Sequence, residues 1–270
     1  MRTIGVLGLV MLAAVMAAML AIMLAGCAAG EGWRGQPLRP VSGEEYELLD
    51  QAEKRLTGRC MAEEGFVLAA VPYRRDFPYG VTDERWAAAR GYGPPGDDVN
   101  GRYLRSLTPQ RRSLALTLLH GRDPEGLAAP MPSGGVLTAS DTGCVAWAQD
   151  ELYGDVRAWY RARNVAVALD LQIRQRVTAD PAYRAALGRW SACMEAAGHP
   201  LAAPAQEGPP ARALAEARCA ASTSYGATVQ RLHARLLAAA PALFRTEADN
   251  KVRLELAALP RARQIMREAR

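Results

Sequence analysis

Residues 42–65, SGEEYELLDQAEKRLTGRCMAEEG, read as one amphipathic helix with its start and stop written into it. Ser42 and Glu45 form an S-x-x-E capping box, in which each side chain accepts from the other's backbone N–H. Tyr46, Leu49, Leu56 and Cys60 then recur at helical spacing, and Gly65 supplies the left-handed residue that ends the helix. The same ending occurs once more. Cys60-Met61-Ala62-Glu63-Glu64-Gly65 and Cys193-Met194-Glu195-Ala196-Ala197-Gly198 share the pattern C-M-x-x-x-G, each followed by a ring, Phe66 or His199. A motif repeated at helix ends predicts a mainly α fold from an internal repeat. Each copy is followed by a further cysteine and a Tyr-Gly pair: Cys144 with Tyr153-Gly154, and Cys219 with Tyr225-Gly226.

Working outward, Phe66 to Tyr73 reads as extended, and Asp83 caps a short helix through Trp86 to Arg90. Thr108-Pro109 opens a helix that Gly121 stops. Residues 91–107 and 121–142 read as irregular, and 143–177 as one long helix bent at Gly154. Asp180-Pro181 starts a helix bearing Tyr183, Leu187, Trp190 and Met194. A Pro-rich turn over 204–210 precedes a helix from Ala211 to Tyr225, and Pro241 and Pro260 mark kinks or breaks in what remains. Ala, Arg, Leu and Glu dominate, all helix formers.

Upstream of Ser42 the chain changes character. Met1 and Arg2 precede an uncharged run from Thr3 to Met23, the n-region and h-region of an export signal. Leu24-Ala25-Gly26-Cys27 closes the run and resembles the lipobox of bacterial lipoproteins. That resemblance implies cleavage before Cys27, a diacylglyceryl group on its thiol and an acylated amino terminus, palmitate-type chains that anchor the protein stably. About 20 apolar residues also suffice for an uncleaved transmembrane helix. Both readings place the rest of the chain outside the cytoplasm. Residues 27–41, rich in Gly and Pro, read as a flexible tether. The expected organisation is therefore a signal over 1–26, the tether over 27–41 and a helical extracytoplasmic domain over 42–270, which the repeat divides into halves 42–177 and 178–270.

Assigning Cys27 to lipid turns five cysteines into an even four in an exported chain, the number for two disulfides. Three pairings are open. The repeat favours joining each C-M-x-x-x-G cysteine to the next one along, Cys60 with Cys144 and Cys193 with Cys219, which makes the bundle disulfide-stapled.

Chemistry-bearing motifs are scarce. There is no G-x-S-x-G, P-loop or H-E-x-x-H in the sequence, and no catalytic residue, cofactor or metal site is expected. His120 and His199 stand beside helix-ending glycines, and His233, between Arg231 and Arg235, reads as solvated. Glu63, Glu64 and Glu195 next to the motif offer carboxylates for wall hydrolysis, against a plain reading as solvated last-turn residues. Asp97, Asp98 and Asn100 miss the EF-hand spacing and read as a turn. Met61, Met194 and Trp190 read as core, or as the lining of an apolar groove.

The formal charge of +5 falls to +4 once Arg2 leaves with the signal, too mild for a nucleic-acid partner. Only Lys54 and Lys251 are lysine among 33 basic residues, a skew read as codon usage in a GC-rich genome. The arginines at 157, 161, 163, 174 and 176, with those at 261, 263, 267 and 270, read as solvated helix faces, or as contacts for anionic lipid or wall polymer.

Lipobox, paired C-M-x-x-x-G motifs, Trp190 and the downstream helix cysteine together resemble uncharacterised lipoproteins of high-GC actinobacteria. The resemblance implies an exported, membrane-anchored helical protein and carries over no catalytic residues. The expected function is a non-catalytic binding or structural module at the outer face of the cell membrane, with an envelope protein or wall polymer as partner. A carboxylate-based wall hydrolase and an apolar-ligand scavenger are the alternatives. The first needs two facing carboxylates about 5 to 9.5 Å apart, the second an apolar cavity of a few hundred Å³.

Overall fold

The computed structural model describes residues 38–268, so Leu24, Ala25, Gly26 and Cys27, the signal and most of the tether lie outside the described residues. From Pro40 onward the chain forms one compact unit. It is mainly helical, and two disulfides staple it.

Helix α1 (Gly43–Glu63) begins on the capping box: Glu45 N donates to Ser42 Oγ at 3.2 Å, and Ser42 N to Glu45 Oε2 at 2.9 Å. After an extended stretch without regular structure, α2 (Glu84–Arg90) starts on Asp83, α3 spans Val99–Ser106, and α4 (Pro109–His120) starts on Thr108. An antiparallel hairpin follows, β1 (Gly126–Pro130) with β2 (Val136–Ser140), Ala128 opposite Thr138. Six further helices complete the described chain: α5 (Cys144–Tyr153), α6 (Val156–Ala179), α7 (Pro181–Ala196), α8 (Pro210–Ser222), α9 (Tyr225–Ala238) and α10 (Ala242–Arg267).

Four expectations are corrected. The segments 91–107 and 121–142 are not wholly irregular but hold α3 and the hairpin. The helix from Gly143 to Val177 is two helices: Gly154 is left-handed (φ 81°) and ends α5, and Asp155 accepts from Ala158 N to start α6. The helix from Ala211 stops at Ser222, because Ser224 takes a positive φ of 57° and Tyr225 opens α9. Pro260 breaks nothing. α10 runs through it, since Ala258, Leu259 and Ala262 are buried against α1 and α5, and that packing offsets the roughly 3 kcal/mol that an internal proline costs.

The core has two main bodies. Leu49, Ala52 and Leu56 of α1 meet Ala148 and Leu152 of α5 and the apolar face of α10. Leu169, Ile173 and Val177 of α6 meet Tyr183, Trp190 and Met194 of α7 and Tyr225, Val229 and Leu232 of α9. Helix α6, 24 residues and therefore about 36 Å long, packs against α10 along the first body and against α7 and α9 in the second. The halves 42–177 and 178–270 are consequently not separate packing units, because α10 closes on α1, α5 and α6 while α8 packs on α2.

Candidate binding cleft

The repeated motif is structural at both copies. Cys60 bonds Cys144 at the head of α5, and Cys193 bonds Cys219 in α8, with Cα–Cα separations of 5.6 and 5.7 Å. The methionine after each cysteine is fully buried, Met61 beneath Phe66 and Cys144, Met194 beside Trp190. The glycine ends the helix in a Schellman arrangement each time: Gly65 N donates to Ala62 O and Phe66 N to Met61 O; Gly198 N donates to Glu195 O and His199 N to Met194 O. Six residues thus carry a covalent staple, a core anchor and a helix stop. Met61, Met194 and Trp190 are core side chains, 0, 0 and 1 % exposed, and line no groove.

The other sequence candidates are dispersed. Glu63, Glu64 and Glu195 are exposed. Asp97 pairs with Arg102 at 2.6 Å and Asp98 with Arg105 at 2.7 Å, while Asn100 exchanges two hydrogen bonds with the backbone of Ala69. Asp97 and Asp98 precede α3 and Asn100 lies in its first turn, so the three do not form the single turn expected, and protein partners hold each of them; no group of three or more His, Cys, Asp or Glu among the described residues is placed to hold a metal ion. Arg157 and Arg161 are ion-paired, to Asp141 and Glu247. No helix among the described residues is long and apolar enough to cross a membrane.

What the structure does assemble is a cleft of about 690 Å³ between α6, α9, α10 and the start of α1, adjoining a smaller cavity of about 310 Å³. Helical spacing builds one wall: Val167, Asp170, Leu171 and Arg174 fall on the same side of α6. Opposite stand Leu237 of α9 and Ala248, Lys251 and Val252 of α10, and the extended segment at Tyr73, Arg75 and Asp76 closes one end. Within the size range of small-molecule sites, the cleft pairs apolar walls with a few polar groups.

Those polar groups form a chain across the floor. Asp76 Oδ2 meets Arg174 Nη1 at 2.8 Å, Arg174 Nε meets Asp170 Oδ2 at 2.5 Å, and Asp170 Oδ1 meets His233 Nε2 at 2.9 Å. His233 is therefore a half-buried partner of a carboxylate and not the solvated residue that its arginine neighbours imply, because α9 turns it inward toward α6. Burial, the largest influence, pushes the Asp170 carboxyl up; the His233 hydrogen bond and the Arg174 charge outweigh it and hold the group below its ordinary value. In the neighbouring cavity the Tyr79 hydroxyl is buried with no hydrogen-bond partner among the described residues, and burial, then the Asp170 charge, push its pKa up to about 12.

At the other end, Lys251 Nζ holds Glu255 Oε1 at 2.5 Å and reaches Tyr46 Oη at 3.4 Å. Burial raises the Glu255 carboxyl despite the Lys251 charge, and burial, then Glu255, push the Tyr46 phenol above its ordinary range. The cleft residues have a faint sequence trace in the i,i+4 spacing of Asp170 and Arg174. Asp76, Arg75 and His233 come from loops and helices far apart in the chain and leave none.

The arrangement can bind and orient; its acids are already committed. Both carboxylates lining the cleft, Asp76 and Asp170, are held by the same guanidinium. No protein-family model matches this chain, and no curated protein or solved structure is similar to it.

Proposed function

We propose that the chain is an extracytoplasmic lipoprotein, anchored through acyl chains on Cys27, whose helical domain is a non-catalytic binding module of the cell envelope. The observation that carries this reading is the pair of disulfides, one joining α1 to α5 and one joining α7 to α8. Such staples persist in oxidising compartments and are rare in a reducing cytosol. An apolar-walled cleft with its charged groups already paired supports binding over catalysis, and a wall hydrolase has less support while Arg174 occupies both carboxylates.

Metabolic labelling with an alkyne fatty acid, followed by mass analysis of the mature amino terminus, tests the anchor. The expected product begins at Cys27 with a thioether-linked lipid, and Cys27→Ser releases the protein from the membrane fraction. A Cys27→Ser chain that stays with the membrane and retains residues 1–26 moves the anchor to an uncleaved apolar helix.

A further inference from the structure

The geometry points to a long-chain carboxylate as the occupant of the α6–α10 cleft, its alkyl tail along Val167 and Leu171 and its head group on Arg75; this deepens the binding reading above and rests on it for the membrane as source. Three observations carry it.

The first is apolar surface without a cover. Val167 and Leu171, one turn apart on α6, are 50 and 52 % exposed, and they face the cleft together with Leu237, Val252 and the buried Val41. Large side chains left half in water along a concave wall are what an apolar ligand would cover.

The second is the state of Arg75. Among the cations lining the cleft, Arg174 is held by two carboxylates and Lys251 by Glu255. Arg75 has no hydrogen bond among the described residues, and its one carboxylate neighbour, Asp83, stands off at 3.9 Å. Its guanidinium is instead fixed by aromatic rings, 4.9 Å from the centre of Trp86 and 5.5 Å from that of Phe77. Contact with ring faces uses none of the five N–H donors of a guanidinium. A rigid fork with its donors free matches a carboxylate bidentately.

The third is charge. With Asp76 and Asp170 held by Arg174 and Glu255 by Lys251, Arg75 is the least committed of the cations lining the cleft, its one ion pair among the described residues being the 3.9 Å contact with Asp83. One such charge beside an acid suits a monoanion and disfavours a phosphate dianion. The source fits as well: Val41 and Gly43 at the cleft are 14 and 16 residues from Cys27, so the cleft lies within about 50 Å of the acyl anchor even when that segment is fully extended, at ~3.5 Å per residue.

The test is photo-crosslinking of the full chain in native membranes with a diazirine-bearing palmitate, with the matching palmityl alcohol as a second probe and adducts mapped by peptide mass spectrometry. The expected result is palmitate adducts on α6 residues 166–174 and α10 residues 248–252. Leu171→Glu, at an exposed position, removes labelling by both probes. Arg75→Gln lowers palmitate labelling about tenfold, the loss of a charged hydrogen-bonded pair, and leaves the alcohol unaffected. Adducts spread over the surface, adducts indifferent to Leu171→Glu, or equal loss of both probes in Arg75→Gln overturn the inference. A lipidated Cys27 without cleft labelling overturns the ligand and spares the envelope placement, whereas cleft labelling in a chain that is never lipidated does the reverse.

Discussion

Glu216 shows how far a single residue governs this fold. It is wholly buried in α8, yet it accepts from Tyr92 Oη at 2.5 Å and Ala205 N at 3.2 Å on one oxygen, and from Val81 N at 3.1 Å on the other. Three segments without regular structure are therefore pinned to one side chain. Gly80, with φ of +80°, makes room for it: a Cβ there would lie 2.8 Å from Glu216 Oε2 and 2.6 Å from Pro204 Cβ. Glu216→Gln keeps the shape and turns one acceptor into a donor facing a donor. A loss of about 2 kcal/mol is expected, the cost of an unsatisfied buried polar group, measured as a lower denaturant midpoint at unchanged slope. None of this is legible in the sequence. Along α8 the buried series Ala213, Glu216, Ala217, Ala220 looks like an apolar stripe with one acid in it, and the donors that explain the acid come from residues up to 135 positions away.

Among the elements, the two stapled helix ends do the same mechanical task over very different spans. The Cys60–Cys144 bond closes 84 positions and Cys193–Cys219 closes 26. In the chain-entropy model these loops contribute about 4.6 and 3.5 kcal/mol as upper bounds. Replacing Cys60 and Cys144 together by serine is expected to cost more stability than replacing Cys193 and Cys219, read from urea unfolding under oxidising conditions; the reverse order would give the larger share to local packing under Trp190. Element boundaries were legible where a cap residue sits beside an apolar stripe, as at Ser42, Asp83, Thr108 and Asp180. They were obscure where tertiary contacts decide. Pro260 obeys its neighbours in the core and not its own propensity, and the hairpin at 126–140, built from short alanine-rich strands, is held by Leu127 and Ala129, both buried.

For the whole molecule, the tyrosines set a limit at alkaline pH. Burial in each case, reinforced by Glu255 at Tyr46, by Glu53 at Tyr153 and by the Tyr183 hydroxyl at Tyr225, raises the phenol above its ordinary value. A group raised in the folded state contributes stability that is complete below its unfolded pKa, about 10, and is lost as pH climbs beyond it. Thermal midpoints are therefore expected to hold through neutral pH and fall steeply above about 10. Tyrosinate absorbance should rise together with loss of helix signal; ionisation of every tyrosine in a still-folded protein would contradict the burial described. The helical class and the disulfide-ready cysteine count were legible at this scale, because composition and capping repeat along the chain. The cleft was not, since its walls come from α1, α6, α9 and α10 and exist only once those helices have met.

The contact between α1 and α10 has a further consequence, for the order of events. Tyr46 and Glu255, joined by a hydrogen bond, are 209 positions apart, and the first core body has no third wall until α10 arrives. A nascent chain can cap its first helix early but cannot lock it before almost the entire sequence has emerged, and closing so long a loop is slow. If the chain is exported, as proposed above, late closure is an advantage. A segment not yet exported would have nothing to fold against, and the domain would seal only once its last helix had joined α1 in the compartment where the thiols oxidise.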